Sequence, residues 1–290
     1  MTVRVGLIGA GIMGADHART LLDLPGAELA GVSDPVATIA GCPAYDDPLA
    51  LIDAVDAVII AAPDSTHGRY AQACLDAGRR VLCEKPLAST AAAALRLARA
   101  DTTGLIQVGF MRRYDPGYLA LKRRFDAGEA GAPLLVHCVH RNATAPPAFG
   151  SESLLTSSAT HEIDVVRWLL GEEVAEVTVR TPRTSGLLDP QLVLLRTAGG
   201  VLVDVEVFVN ARYGYDVRCE LVGEAGVLEL PRERATADWR DRFAAAYRAE
   251  LRAWIAGDLD GPTAWDGYAA TAVAEAAVVS LRTGRTVRVT

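Results

Sequence analysis

Short apolar runs alternate with helix-like segments through the first third of the chain. Each run is almost continuously apolar, as expected for a strand that is covered on both faces of a sheet. The five runs are VRVGLIG, AELAGVSD, VDAVIIAAP, RRVLCEKP and GLIQVGF. Strands of this kind separated by helices are typical of βαβ units. The pattern predicts a doubly wound, parallel α/β domain over residues 1–115.

The pattern changes after residue 115, where strand-like segments follow one another along the chain. Turn residues such as AGG and GEAG separate several of these segments, which favours hairpins and therefore an antiparallel sheet. Helical segments precede these strands, and two more helical segments close the chain. The pattern predicts a second domain of the α+β class over residues 116–290.

Composition and charge argue against several classes of function. The 290 residues carry a net charge of -7, whereas a broad nucleic-acid surface needs a basic field. No apolar run approaches the length of a membrane span, and the N-terminus lacks the pattern of a signal peptide. The five cysteines are scattered, with neither a CxxC pair nor a Cys/His cluster. We therefore expect a cytoplasmic protein without a bound metal, a nucleic-acid partner or a membrane partner.

A glycine-rich segment joins the first apolar run to the first helical pattern. Its sequence, GAGIMG, fits the GxGxxG motif of dinucleotide-binding loops, and it lies between a strand and a helix as that motif requires. The first glycine allows the tight turn, the second lets a pyrophosphate approach the backbone, and the third lets the helix pack on the sheet. The residues predicted to bind the cofactor here are Gly9, Gly11, Ile12, Met13 and Gly14.

Asp34 is the candidate partner for the adenosine ribose. It ends the second apolar run, 20 residues after Gly14. A carboxylate at this position accepts hydrogen bonds from ribose hydroxyls and repels a 2′-phosphate, so we expect NAD rather than NADP. A surface aspartate beside a purely structural glycine turn would give the same pattern.

Lys85 follows the fourth apolar run directly, within Glu84-Lys85-Pro86. Ligands bind outside the carboxyl ends of the strands in open α/β sheets, so this lysine is expected on the functional edge of the sheet. A solvated lysine at a strand end is the alternative that its position alone leaves open.

Six longer motifs follow the glycine loop in order. They are CEKPLA, GFMRRYDPGY, HRNAT, HEIDVVRW, YGYD and GPTAWDGY. Together they closely resemble the glucose–fructose oxidoreductase/inositol dehydrogenase/rhizopine catabolism (Gfo/Idh/MocA) family, and within it the bacterial inositol 2-dehydrogenase branch. The resemblance spans nearly the whole chain. It implies a Rossmann domain that binds NAD, a C-terminal domain with a large, mostly antiparallel open sheet, and a homotetramer assembled through that sheet.

The same resemblance implies roles for individual residues. Lys85 would lie beside the reacting alcohol and the nicotinamide, and His161 of HEID would accept the proton. The residues that would line the polyol pocket are Arg112, His140, Asn142 and Tyr215. Those that would lie along the cofactor are Pro63, His67 and Glu84, together with Lys85.

The chemistry of alcohol oxidation agrees with these roles. A hydride leaves carbon and a proton leaves oxygen, and a base that titrates near neutrality suits the proton. An ammonium group near the oxygen stabilises the developing alkoxide. At 100° per residue, one side of a helix, opposite an apolar stripe, carries Ser157, His161, Asp164 and Trp168. This spacing argues against His161 as a core residue.

Ser157 is a departure from the family pattern, because inositol dehydrogenases resembling this chain carry an aspartate one turn before the histidine. Three hypotheses follow. The chain oxidises an inositol-like cyclitol with a neutral hydrogen bond at Ser157, which costs about 1–2 kcal/mol of interaction, or roughly tenfold. Alternatively, it acts on a uronate or phosphorylated sugar, which the lost carboxylate no longer repels. In the third hypothesis it is a catalytically silent NAD-binding regulator.

Three other histidine positions are predicted from local spacing. His17 follows the glycine loop on the first helix and is expected at the helix surface. His137 and His140 lie three residues apart on one strand and therefore face opposite sides of it. This leaves His140 for the pocket and His137 for packing.

Overall fold

The computed structural model describes residues 2–182, 186–258 and 260–290. The chain divides into two compact units. Unit 1 comprises Met1–Met111 and Tyr247–Thr271, and unit 2 comprises Arg112–Ala246 and Ala272–Thr290. The single boundary after residue 115 that the sequence suggests stays a prediction about the domains.

Unit 1 is built on a five-stranded parallel sheet. Its strands are β1 (Val3–Ile8), β2 (Ala27–Ser33), β3 (Ala57–Ile60), β4 (Arg80–Cys83) and β5 (Ile106–Val108). Their order is β2-β1-β3-β4-β5, and every neighbouring pair is parallel. The sequence prediction of a parallel α/β sheet is therefore confirmed. The strand order reverses between β1 and β3, which is where sheets of this kind bind ligands at their carboxyl ends.

The helices of unit 1 begin in different ways. They are α1 (Ile12–Leu22), α2 (Pro48–Ala54), α3 (Asp64–Asp76) and α4 (Ala91–Ala100). Side chains cap α2 and α4, since Asp47 accepts from the Leu49 N–H and Thr90 from the Ala93 N–H. The N-cap of helix α1 is Gly11, and no side chain of the described residues caps this helix. Its first backbone N–H groups can therefore bind an anion.

Unit 2 contains a seven-stranded, mostly antiparallel sheet. Its strands are β6 (Pro133–Arg141), β7 (Val174–Arg180), β8 (Gln191–Thr197), β9 (Leu202–Phe208), β10 (Asp216–Gly223), β11 (Val227–Glu229) and β12 (Val287–Arg288). They lie in the order β11-β10-β6-β9-β8-β7-β12. Only the β6–β9 pair is parallel among the described strands of this sheet. The predicted sheet type is confirmed.

Four α-helices among the described residues belong wholly or partly to unit 2. They are α5 (Pro116–Asp126), α6 (Thr160–Leu170), α7 (Trp239–Ala256) and α8 (Ala264–Thr283). Helices α7 and α8 each contribute residues to both units. None of the helices in the described part of the chain is both long and apolar enough to cross a membrane.

Candidate functional site

The glycine loop of unit 1 is shaped by close backbone contacts. Gly9 has a φ of +91°, and a Cβ atom there would lie 2.5 Å from the Ala62 nitrogen. A Cβ atom on Gly14 would lie 1.9 Å from the Gly9 carbonyl oxygen. A Cβ on Gly11, in contrast, would meet no atom within 4 Å. The loop therefore packs tightly on one side and leaves the backbone of Gly11 open to a ligand.

Asp34 follows β2 and is bonded to the same loop. Its Oδ2 atom accepts a 2.7 Å hydrogen bond from the Ala10 N–H, and Oδ1 accepts bonds of 2.8 Å each from the N–H groups of Val36 and Ala37. Partial burial would raise the pKa of this carboxyl, but the three backbone bonds lower it below its ordinary value. Asp34 is therefore ionised and fixed beside the glycine loop.

Glu84 and Lys85 follow β4 at the carboxyl edge of the sheet, and the Lys85–Pro86 peptide bond is cis. Glu84 is 7% exposed, and its Oε1 atom lies 2.8 Å from Nε2 of His17. Burial alone would raise the pKa of the Glu84 carboxyl. The hydrogen bond from His17 and the charges of His17, Lys85 and His67 instead lower it.

The expected surface position of His17 is wrong. The side chain is 2% exposed because it lies on the buried side of α1 and pairs with Glu84. Gly14, His17, Ala18 and Leu21 form that buried side. Their i, i+3, i+4, i+7 spacing is the core pattern of a helix, so the sequence contained this signal.

A buried ion-pair cluster lies in unit 2. Arg112 is 1% exposed, and its guanidinium bonds the Glu162 carboxylate and donates to the Tyr215 hydroxyl at 3.3 Å. Nδ1 of His140 lies 2.9 Å from Oε2 of Glu162. Burial would raise the pKa of the Glu162 carboxyl, but Arg112 and His140 lower it below its ordinary value. Two of the predicted pocket residues, Arg112 and His140, thus bond one carboxylate that the sequence reasoning did not single out, and Tyr215 joins them through Arg112.

A second ion pair parallels the first. Arg113 donates to Asp164 through two nitrogens, with Nε to Oδ2 at 3.0 Å and the second nitrogen to Oδ1 at 2.5 Å. The two arginines of MRRY therefore pair with the two acids of HEID. The matching charges are visible in the two motifs, but nothing in their sequence separation indicates that they meet.

His161 lies in the first turn of α6 and is 9% exposed. Its ring is stacked near that of His140, with the centroids 6.3 Å apart. The expected contrast between a polar and an apolar side of this helix is wrong, because Glu162, Asp164 and Arg167 are as buried as Ile163. Ion pairs allow these charged groups to be buried.

The expected helical spacing between Ser157 and His161 is also wrong. Residues Leu154–Ser158 form a π-helical turn, and the α-helical geometry begins only at Thr160. A π turn holds more residues than an α turn, so a rotation of 100° per residue does not apply before Thr160. The Thr160 hydroxyl donates to the Ser157 carbonyl at 3.0 Å. Turns of this kind frequently occur at functional sites.

Asn142 directly follows β6, and His137 lies within that strand. The backbone of Asn142 pairs with Phe208 and Ala211, but its buried Oδ1 atom accepts no hydrogen bond from any described residue.

The side chain of His137 is 42% exposed and pairs with Asp204. Its expected role in packing is therefore wrong, because it lies on the open face of the sheet.

Comparison with known protein families identifies the architecture. Residues 3–110 match the family profile described as an oxidoreductase family with an NAD-binding Rossmann fold, and residues 118–229 match the GFO/IDH/MocA C-terminal domain. The chain belongs to the Gfo/Idh/MocA family. Within the residues that the structure describes, no group of three His, Cys, Asp or Glu side chains is arranged to hold a metal.

Several members of the Gfo/Idh/MocA family match along nearly their full length. Inositol 2-dehydrogenase 1 of Saccharopolyspora erythraea is 52% identical, over 100% of this chain and 97% of the relative. Inositol 2-dehydrogenase of Klebsiella pneumoniae is 42% identical, over 100% and 97%. The solved myo-inositol dehydrogenase from Lactobacillus casei in complex with NAD(H) and myo-inositol has a TM-score of 0.95 and 35% identity, over 100% and 97%. This chain is an NAD-dependent dehydrogenase that acts on CH–OH groups.

Proposed function

We propose that this Gfo/Idh/MocA enzyme oxidises a neutral cyclitol, an inositol or a close relative. The observation that carries the proposal is the pairing of Arg112, whose guanidinium is buried and already bonds Glu162. An acidic substrate needs a cation that is available to it, and Arg113 is likewise paired with Asp164. The names of the relatives, inositol 2-dehydrogenases, support the same substrate class.

The residues of unit 1 fit a dinucleotide. The open backbone at Gly11 and the uncapped start of α1, which includes Ile12 and Met13, suit a pyrophosphate. The carboxylate of Asp34 is ionised beside them and suits the ribose hydroxyls. When bound, NAD supplies the hydride-accepting ring, and the protein supplies binding and orientation.

We propose that His161 accepts the hydroxyl proton and that Lys85 stabilises the negative charge on the alcohol oxygen. An imidazole is the side chain whose ordinary titration range suits a general base near neutral pH. Ser157, Asn142, His140 and Tyr215 would orient the polyol. The unpartnered Oδ1 of Asn142 can accept a hydrogen bond from a substrate hydroxyl, which supports this role. Residues 1–115 would form the NAD-binding domain and residues 116–290 the substrate-binding domain, which would also assemble a homotetramer.

The substrate class is tested by turnover of cyclitols, neutral hexoses, uronates and sugar phosphates with NAD, followed through NADH absorbance. We expect kcat/KM for an inositol to exceed that for any uronate by at least roughly tenfold, as one charge-assisted bond would require. Preferred turnover of a uronate would contradict the proposal. Tight NADH binding without turnover of any member of the panel would identify a regulator instead.

Replacing Asp34 with asparagine is expected to shift the cofactor preference towards NADP. The change removes the charge that repels a 2′-phosphate while keeping the size of the side chain. We expect the ratio of kcat/KM for NAD to that for NADP to fall by about ten- to a hundredfold, as the loss of a charged hydrogen bond predicts. Steady-state kinetics with both cofactors measures this ratio. An unchanged ratio would remove Asp34 from cofactor selection.

Replacing Ser157 with aspartate is expected to raise kcat/KM for neutral inositols by roughly tenfold, because a charge-assisted hydrogen bond replaces a neutral one. The same variant should lower any turnover of uronates, since the new carboxylate repels them. Parallel kinetics on both substrate classes gives the result. The Thr156→Asp variant, with its charge on an exposed neighbour, is the matched control. No gain on inositols from Ser157→Asp would count against the assigned contact.

A further inference from the structure

His67 has both of its ring nitrogens bonded to the backbone. It lies in the first turn of α3 and is 1% exposed. Nδ1 is 2.7 Å from the Pro86 carbonyl oxygen, and Nε2 is 2.8 Å from the Ala62 carbonyl oxygen. A polar contact with a cofactor would have to displace one of these two bonds.

The two acceptors determine where the protons of the ring must lie. A carbonyl oxygen accepts hydrogen bonds and cannot donate them, so each nitrogen needs its own proton for both bonds to form. A neutral ring would place a nitrogen lone pair against one carbonyl oxygen. Only a ring that carries a proton on each nitrogen can donate to both segments of backbone at once.

The two segments follow different strands at the carboxyl edge of the sheet in unit 1. Ala62 follows β3 and lies against the glycine loop, where its nitrogen is the atom closest to a Cβ built on Gly9. Pro86 follows Lys85 directly after β4. The His67 ring thus connects Ala62, which packs against the glycine loop, to Pro86, which follows Lys85.

A second buried histidine contacts the residue before Lys85. The side chain of Glu84 is hydrogen-bonded to His17 of α1 at 2.8 Å. The pKa of the Glu84 carboxyl lies below its ordinary value because the hydrogen bond from His17 and the charges of His17, Lys85 and His67 outweigh the effect of burial. Glu84 is therefore an anion among three cationic or hydrogen-bonding groups. The residues on both sides of Lys85 are therefore bonded to buried histidines, Glu84 through its side chain and Pro86 through its backbone carbonyl.

We propose that His67 is a positioning residue for Lys85, acting as a buried imidazolium that clamps the Ala62 and Pro86 carbonyls rather than as a ligand of the cofactor. This inference rests on the proposed role of Lys85 at the alcohol oxygen. Displacement of a catalytic group by about 1 Å can lower a rate by about a hundredfold. Loss of the clamp should therefore affect the chemical step more than cofactor binding.

The test compares His67→Gln with Lys85→Met and with Gln72→Ala, a change at a half-buried position of the same helix. We expect His67→Gln to lower kcat by about ten- to a hundredfold while the Kd for NADH stays within about twofold. The primary kinetic isotope effect on kcat, measured with inositol deuterated at the reacting carbon, should be larger than in the parent, because hydride transfer becomes slower. Gln72→Ala should leave kcat within about twofold, since its amide bonds only the exposed Asp76.

Each alternative gives a different result. Weakened NADH binding with kcat retained in His67→Gln would make His67 a cofactor ligand and overturn the proposal. A kcat within about threefold of the parent would also overturn it, provided that Lys85→Met is inactive. Full activity of Lys85→Met would instead contradict the proposed function itself.

A measurement on the unaltered enzyme covers the case in which His67 variants do not fold. Nitrogen-15 NMR of histidine-labelled protein at neutral pH distinguishes a ring with two N–H groups from a neutral tautomer. We expect His67 to show two N–H signals, both protected from exchange with solvent. A single N–H on this ring would contradict the clamp.

Discussion

Replacement of His161 by alanine is expected to lower kcat by about two to four orders of magnitude, which is the usual contribution of a general base. The ring is buried in the first turn of α6 beside His140, a position that limits access of water to the proposed proton acceptor. KM for the polyol should change much less than kcat, because a general base stabilises the transition state rather than the bound substrate. Steady-state kinetics at saturating NAD measures the effect.

His137→Ala is the matched control for this experiment. It removes a histidine from the same unit, but one whose side chain is 42% exposed and paired with Asp204 on the open face of the sheet. Its kcat should stay within about twofold of the parent. A His161→Ala enzyme that retains kcat within about tenfold would exclude His161 as the general base.

Replacement of Glu162 by glutamine is expected to lower the free energy of unfolding by about 3–5 kcal/mol, the usual effect of leaving a buried charge without its partner. Arg112 is 1% exposed and would keep its charge with a neutral amide in place of the carboxylate. Urea denaturation followed by circular dichroism measures the change. The loss should exceed that of any exposed ion pair in the chain.

Two further variants separate burial from charge in this measurement. Glu152→Gln breaks the exposed pair with Arg282 and should cost only about 0–1 kcal/mol. The double variant Arg112→Met with Glu162→Leu removes both buried charges and should recover much of the stability lost in Glu162→Gln. Equal losses in Glu162→Gln and Glu152→Gln would show that the buried pair is not the source of the effect.

The same carboxylate predicts how stability depends on pH. The pKa of Glu162 is lower in the folded protein than its ordinary value of 4.5, because Arg112 and His140 outweigh its burial. Its contribution is therefore fully present above the unfolded pKa and is lost as the pH falls through the lower, folded pKa. The stability difference between the parent and Glu162→Gln should accordingly shrink in acid below about pH 4.5.

The hydrophobic pattern predicted much of the architecture because each element depends on local periodicity. Continuous apolar runs indicated the parallel strands of unit 1, and turn residues indicated the antiparallel sheet of unit 2. The glycine loop and Asp34 could also be predicted from the sequence, since their motif combines fixed spacing with a strand-to-helix context. Local patterns failed where the geometry was irregular. The π-helical turn at Leu154–Ser158 has no distinct signature in the sequence.

By itself, the sequence determined the two fold classes, the family and the chemical types available at the site, because these follow from periodicity and short motifs. Only the tertiary structure decided which charges neutralise each other. Arg112 with Glu162, Arg113 with Asp164, and His17 with Glu84 are pairs separated by 50, 51 and 67 residues. Burial makes such partners necessary, since an unpaired charge in the interior is costly. Which residues become partners depends on the packing of whole elements, which local sequence does not encode.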